Sequence, residues 1–234
     1  MRCILRRRGP AIGAARALTR PAVAAQHRAP FHPDWPALHT IDLTTAPLAL
    51  HTPRLLLAAP APAHAAAFAE GVAASQAVLG FVAWGQRPRD LAWALRFCED
   101  DAASRAAGLD LSFHAFTRDG GAWVGRIDVH SVDFAAARGE IGYVGDVRLS
   151  GRGLMREAVA AVIGLCFDLG FERIEAMSDA RNARALRFAD NLGLLQREGI
   201  LRRHERDLQG QPCDMVLWAA LNPRGPLPLP PDPA

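Results

Sequence analysis

Residues 142–157, GYVGDVRLSGRGLMRE, decide how this chain is read. A short extended run enters a loop carrying Gly151 and Gly153, and the loop opens directly onto a long helix. The first backbone N–H groups of a helix have no partner within it, and the aligned peptide dipoles add partial positive charge there. Glycines at the turn leave no side chain to keep an anion from that backbone. The stretch therefore predicts an anion site, most naturally for a pyrophosphate. Two familiar phosphate loops are excluded, because the stretch has neither Gly-x4-Gly-Lys-Ser/Thr nor Gly-x-Gly-x-x-Gly.

Working outward, the helix after the loop is the clearest in the chain. Leu154, Ala158, Val159, Val162, Ile163, Cys166 and Phe167 recur at three- and four-residue spacing over 153–169, and Gly170 is a natural stop. An extended run at 173–178 follows, then a helix over 182–192 that ends before Gly193, and a hairpin of about 200–206 and 213–221 turning at Gly210. Upstream, 54–59 is a short apolar strand entered through Thr52-Pro53. One helix follows Pro62 and another runs over 88–107, with Leu91, Leu95, Cys98 and Ala102 along one stripe. Strands at 111–117 and 123–132 flank a turn at Asp119-Gly120-Gly121, and 140–147 is a further strand. The helix between the strands at 140–147 and 173–178 reads as a crossover, which makes those two strands parallel. The expected fold class is α/β, with a mixed, twisted sheet of six to seven strands flanked by helices.

Charge divides the 234 residues unevenly. Seven arginines precede the first acid, Asp34, whereas from Pro47 to Asn222 19 arginines stand against 21 acids. The folded part is mildly acidic, and nothing in it has the footprint of a nucleic-acid binder. Residues 1–45 read as a basic Ala/Arg/Pro-rich extension, with 46–222 as the folded domain and 223–234 as a Pro-rich tail. No apolar run reaches the roughly 20 residues that span a bilayer, so no membrane partner is expected. Cys3, Cys98, Cys166 and Cys213 lack paired spacing, and no His or Cys cluster has metal-ligand spacing. A cytoplasmic protein without a metal is the expectation.

Three blocks sharpen the reading. Thr52-Pro53-Arg54-Leu55 opens the first. Glu140-Ile141-Gly142-Tyr143 leads into Gly151-Arg152-Gly153-Leu154-Met155-Arg156-Glu157-Ala158. Arg173-Ile174-Glu175-Ala176 precedes the segment from Asn182 to Gly193. In this order they resemble the GNAT superfamily of acetyl-CoA-dependent N-acetyltransferases, and within it the RimJ/RimL-like branch that acetylates ribosomal-protein N-termini.

The resemblance implies acetyl-CoA as co-substrate and direct transfer to a primary amine with no covalent enzyme intermediate. It places the pyrophosphate on the backbone amides of Ser150, Gly151, Arg152, Gly153, Leu154 and Met155. Pantetheine falls along Gly145, Asp146 and Val147, and Asn182 contacts the CoA arm; Asn182 is also a good helix N-cap. It offers two acids for the base, Glu205 first and Glu140 second. Trp84 is placed on the acceptor side, and Tyr143 matches a position that is usually structural. In four positions this chain departs from the branch: Ser150 replaces the usual Gln/Arg, Met155 the usual Gly/Ala, Ala185 the Ser that protonates the leaving thiolate in the branch, and Leu194 the usual Phe. The implied acceptor is a protein N-terminal α-amine such as that of a ribosomal protein. Small amines (polyamines, amino acids, antibiotics) and a catalytically weak CoA-binding sensor stay open, as does the choice between monomer and homodimer. A nucleotide-binding regulator rests on the glycine loop alone.

Overall fold

The computed structural model describes residues 41–86 and 89–224. The extension up to residue 40 and the tail beyond residue 224 lie outside the described residues. In chain order the elements are β1 (Ala49–His51), β2 (Leu55–Ala58), α1 (Ala65–Ser75), α2 (Leu91–Ala106), β3 (Leu111–Thr117), β4 (Trp123–Asp133), β5 (Arg138–Gly145), α3 (Leu154–Asp168), β6 (Arg173–Asp179), α4 (Ala183–Asp190), β7 (Gln196–Arg206) and β8 (Pro212–Leu221). All eight strands form one mixed sheet in the order β1-β2-β3-β4-β5-β6-β8-β7. Every neighbouring pair is antiparallel except β5–β6, which is parallel and is joined through α3 as expected.

Local chemistry sets the ends of the elements. Asp90 caps α2, its Oδ1 accepting from Trp93 N at 2.7 Å, a contact that contributes about 1 kcal/mol. Asn182 caps α4 in the same way, its Oδ1 accepting from Ala185 N at 3.2 Å. Gly170 takes φ 96°, which lets the chain leave α3 sharply and enter β6. Cys166 faces the core as a small buried hydrophobe, as its helical spacing implied.

Two apolar cores lie in the domain. In the larger, Ala158, Val159, Val162 and Cys166 of α3 join Leu57, Phe113, Ile127, Ile174 and Trp218 of the sheet. The smaller is aromatic and gathers Phe68 of α1, Phe97 of α2, Trp84, Trp123 and Val144.

Several boundaries differ from the sequence reading; the first strand of the last hairpin, for one, begins at Gln196 and not at 200. Strand count rises to eight because Ala49–His51 adds a short edge strand that three residues cannot announce by period. Strand β5 stops at Gly145 instead of 147, because Asp146 turns the chain: its carboxylate accepts from Arg148 N at 2.9 Å and starts a 3-10 turn over Val147–Leu149. The packed domain also begins before 46, since Ile41 and Leu43 are buried in the larger core.

Candidate active site

Strand β5 is paired through to its C-terminal end on one edge only. Against β4 its register runs without a break from His130↔Glu140 to Gly125↔Gly145. Against β6 it pairs at Arg138↔Arg173, Gly139↔Ile174 and Glu140↔Glu175, and there the ladder ends. Beyond Glu140 the two strands diverge, and the gap between them is lined by Ile141, Tyr143, Ala176, Met177, Ser178 and Ala185. Asp146 N donates to Val124 O at 2.9 Å, so residue 146 turns its backbone toward β4. Alternation along a strand then turns the amides of Tyr143 and Gly145 the other way, into the gap.

The backbone at the end of β5 is partly committed elsewhere. Val147 N donates to Ser75 Oγ at 2.9 Å, and that hydroxyl donates to Gly145 O at 3.3 Å. Of the three residues assigned to pantetheine, Gly145 alone therefore presents its N–H to the gap. Tyr143, one residue pair deeper, stacks on Phe188 of α4 with ring centroids 4.9 Å apart, and burial pushes its hydroxyl pKa upward.

The loop carries its amides as the sequence implied. Gly151 and Gly153 sit at φ 79° and 74°, left-handed conformations that glycine adopts at no steric cost. Gly153 is the N-cap of α3, and its carbonyl accepts from Glu157 N at 3.1 Å. The N–H groups of Leu154, Met155 and Arg156 thus have no intrahelical acceptor. Arginines border this end: Arg184 Nη2 donates to Ser150 Oγ at 2.8 Å, and Arg152 is exposed.

Two further features hold the loop in place, and neither was evident from spacing. The Thr52-Pro53-Arg54 block fastens to the first turn of α3. Thr52 Oγ1 and Arg54 N donate to Glu157 Oε1 at 2.6 and 2.9 Å, Arg54 Nε reaches Oε2 at 2.6 Å, and Arg54 Nη1 donates to Arg152 O at 2.9 Å. Burial raises the Glu157 pKa, but these donors outweigh it and hold the carboxyl below its usual range. Second, Met155, the departure from the familiar loop, fits because two glycines face it. A Cβ on Gly125 would meet its Sδ at 2.4 Å, and one on Gly145 would meet its Cγ at 2.9 Å.

Directly opposed residues share a face of the sheet. Glu140 therefore lies on the face of His130, Asp128 and Arg126, the side covered by α1 and α2. There Arg126 pairs with Asp101 of α2 at 2.6 Å and with Asp128, and His130 Nε2 stands 3.7 Å from Asp128 Oδ2. Glu140 is buried in this polar group. Glu205 is placed elsewhere. It opposes Cys213 of β8, six residues along that strand from Ala219, the residue opposite Glu175. That is about 20 Å along the sheet at ~3.3 Å per residue.

Trp84, assigned to the acceptor side, is buried in the aromatic core, 5.9 Å from Phe68, 5.5 Å from Trp93 and 5.6 Å from Phe97 between ring centroids. It lines no open surface. Ser178 was not singled out by sequence reasoning. Its strand pattern is ordinary, and only the gap makes it conspicuous: the side chain is buried and Oγ has no hydrogen-bond partner.

The open parallel seam, the glycine loop and the amides of α3 together match a known architecture. The family model for the acetyltransferase (GNAT) domain matches residues 54–195, and the chain belongs to that family. Among solved structures, the microcin C7 self-immunity acetyltransferase MccE, in complex with acetyl-CoA and AMP, is similar at TM-score 0.68. It is 18% identical, over 77% of this chain and 99% of that one. RimL, the ribosomal L7/L12 alpha-N-protein acetyltransferase in complex with coenzyme A, gives TM-score 0.65 at 18% identity over 75% and 97%. The ribosomal-protein-S5-alanine acetyltransferase of Vibrio fischeri gives 0.63 at 18% over 76% and 98%. At these identities the likeness is one of fold. No curated protein sequence matches the chain significantly.

Proposed function

We propose that the protein transfers an acetyl group from acetyl-CoA directly to a primary amine, and that the acceptor is a protein N-terminal α-amine. The observation that carries this reading is the seam between β5 and β6, which closes for three residues and then opens beside the unpaired amides of α3. A pyrophosphate fits the amides of 151–155, and the pantetheine arm continues the sheet by bonding to the inward amides of Gly145 and Tyr143. The acyl carbonyl then lies where a backbone N–H can stabilise the tetrahedral oxyanion. Asn182, engaged as the cap of α4, borders the CoA arm with its free amide end.

The amine comes from the α1/α2 face. We assign Glu140 as the group that takes its proton, because Glu140 sits at the last closed pair of the seam, buried, on that face. Glu205 is assigned a place at the mouth, where it would meet the acceptor without reaching the thioester. Holding amine and thioester together supplies much of the rate. The branch of RimL and the S5-alanine enzyme supports a protein N-terminus as acceptor; small amines are the competing class.

Calorimetry with acetyl-CoA and CoA, followed by thiol release with peptides bearing free N-terminal Ala, Ser or Met and with spermidine, tests the reading. Micromolar binding and release with peptides only is the expected result. Release with spermidine only would replace the acceptor class, and binding without release would support a CoA sensor.

A further inference from the structure

The branch that this chain resembles has a hydroxyl on α4 where this chain has Ala185, so the departing sulfur lacks its usual donor. Ala185 lines the gap between β5 and β6, and so does Ser178. Ser178 lies on β6 opposite Val216 of β8. The alternation Ile174, Ala176, Ser178 sets it on the sheet face that carries α3 and α4, across from Ala185. It is 5% exposed, and its Oγ has no hydrogen-bond partner. A buried hydroxyl left without a partner costs about 1–3 kcal/mol, so its retention here asks for a ligand group to complete it. The other polar side chain of the gap, the Tyr143 hydroxyl, belongs to a ring held by Phe188.

We infer that Ser178 is a catalytic residue: its hydroxyl donates a hydrogen bond to the thioester sulfur as the acetyl group leaves. The inference rests on the proposed acetyl transfer. The amine nitrogen forms its bond to the carbonyl carbon and gives its proton to Glu140. The tetrahedral oxyanion collapses, the C–S bond breaks, and the electron pair goes to sulfur. The thiolate departs under the Ser178 hydrogen bond and takes its proton from solvent. Base and donor thus stand on opposite faces of one gap, Glu140 on the amine side and Ser178 on the thiol side.

Single-turnover transfer from acetyl-CoA to hydroxylamine, a small nucleophile that needs no acceptor pocket, tests this in the full chain. Ser178→Ala should slow transfer at least about tenfold, as expected for a lost donor to developing charge. The Kd for acetyl-CoA should stay within twofold. Adding Ala185→Ser to that variant should restore most of the rate, because it returns a hydroxyl from the other wall. With an aromatic thioester, whose thiolate leaves readily without help, the Ser178→Ala penalty should shrink. An unchanged rate, an equal penalty with both donors, or no recovery in the double variant would overturn the inference. Failure of the unaltered chain to bind acetyl-CoA would instead overturn the proposed function, and this inference with it.

Discussion

One strand, β5, has two edges that behave differently. Toward β4 it pairs without a break from Glu140 to Gly145, and past a bulge again at Arg138, so that the two strands merge into one wall. Toward β6 it pairs three times and then opens. The first edge shows what the sheet does when nothing intervenes. The second shows a sheet held open, with Tyr143 packed against Phe188 and the small residues Ala176, Ser178 and Ala185 lining the gap. An open edge inside a sheet exposes backbone donors that would otherwise be satisfied, and these form a template for an extended ligand. The contrast teaches that the site is a missing piece of ladder more than a pocket lined by special side chains.

The largest expected effect separates the two acids, Glu140 and Glu205. Glu140→Gln should lower single-turnover acetyl transfer by about 10²-fold or more, within the range for loss of a general base, with acetyl-CoA binding unchanged. Glu205→Gln should act on KM for the acceptor and leave the single-turnover rate within about threefold, since Glu205 is assigned to the mouth, where it meets the acceptor. A larger loss of rate from Glu205→Gln than from Glu140→Gln would reverse the assignment.

Next comes the loop. Gly151 has open space around its missing side chain but sits at φ 79°, so Asp is a tolerable replacement that brings a charge. Gly151→Asp should weaken CoA binding by about 10²-fold, because like charges brought together cost several kcal/mol. Dephosphorylated pantetheine would lose far less, and comparison of the two ligands by calorimetry isolates the anion site. Equal losses would mean that the substitution had deformed the loop.

How far the sequence carried this picture depends on what each part rests on. The glycine loop, α3 and the parallel crossover were legible because helix periodicity, a capping glycine and a crossover are all local signals. The seam itself was legible only through resemblance: nothing in Glu140-Ile141-Gly142-Tyr143 says that pairing with β6 will stop after Glu140. Contacts between distant segments were hidden for the same reason. The grip of Thr52 and Arg54 on Glu157 spans about a hundred residues, so the opening block could be matched but not explained. Trp84 was assigned to the acceptor side through the resemblance, and packing placed it in the aromatic core. The Ala185 departure pointed to a deficit, whereas Ser178 became visible only when strand alternation turned it into the gap that Ala185 also lines.

A smaller effect probes the closed edge. Gly125 and Gly145 are paired across β4 and β5, and both leave room for Met155. Gly125→Ala would push a methyl into the Met155 thioether and the Val144 carbonyl oxygen at 2.5 Å. It should cost about 1–3 kcal/mol in urea unfolding, as overpacking does. Met155→Ala in the same background should recover part of that loss. No cost would mean that the wall has slack, which would weaken the contrast between the two edges.

The smallest effect concerns His114, behind the closed wall. Trp123 Nε1 donates to His114 Nδ1 at 3.0 Å, so that nitrogen must be unprotonated, and the neutral ring carries its proton on Nε2, facing Cys98 Sγ at 3.9 Å. Burial drives the His114 pKa well below 6.5, helped by the charge of Arg126 and by His64. A base whose pKa is lower folded than unfolded stabilises the native state fully above its unfolded value. That contribution is lost as pH falls through about 6.5 toward the folded value, with a slope of at most ~1.4 kcal/mol per pH unit for one proton. Urea midpoints should therefore decline between pH 7 and 5, and His114→Gln, less stable at pH 7, should show a flatter profile. Parallel profiles for the two proteins would mean that His114 does not titrate on unfolding in this range, and that the acid sensitivity of the closed side comes from other groups, such as the half-buried His64.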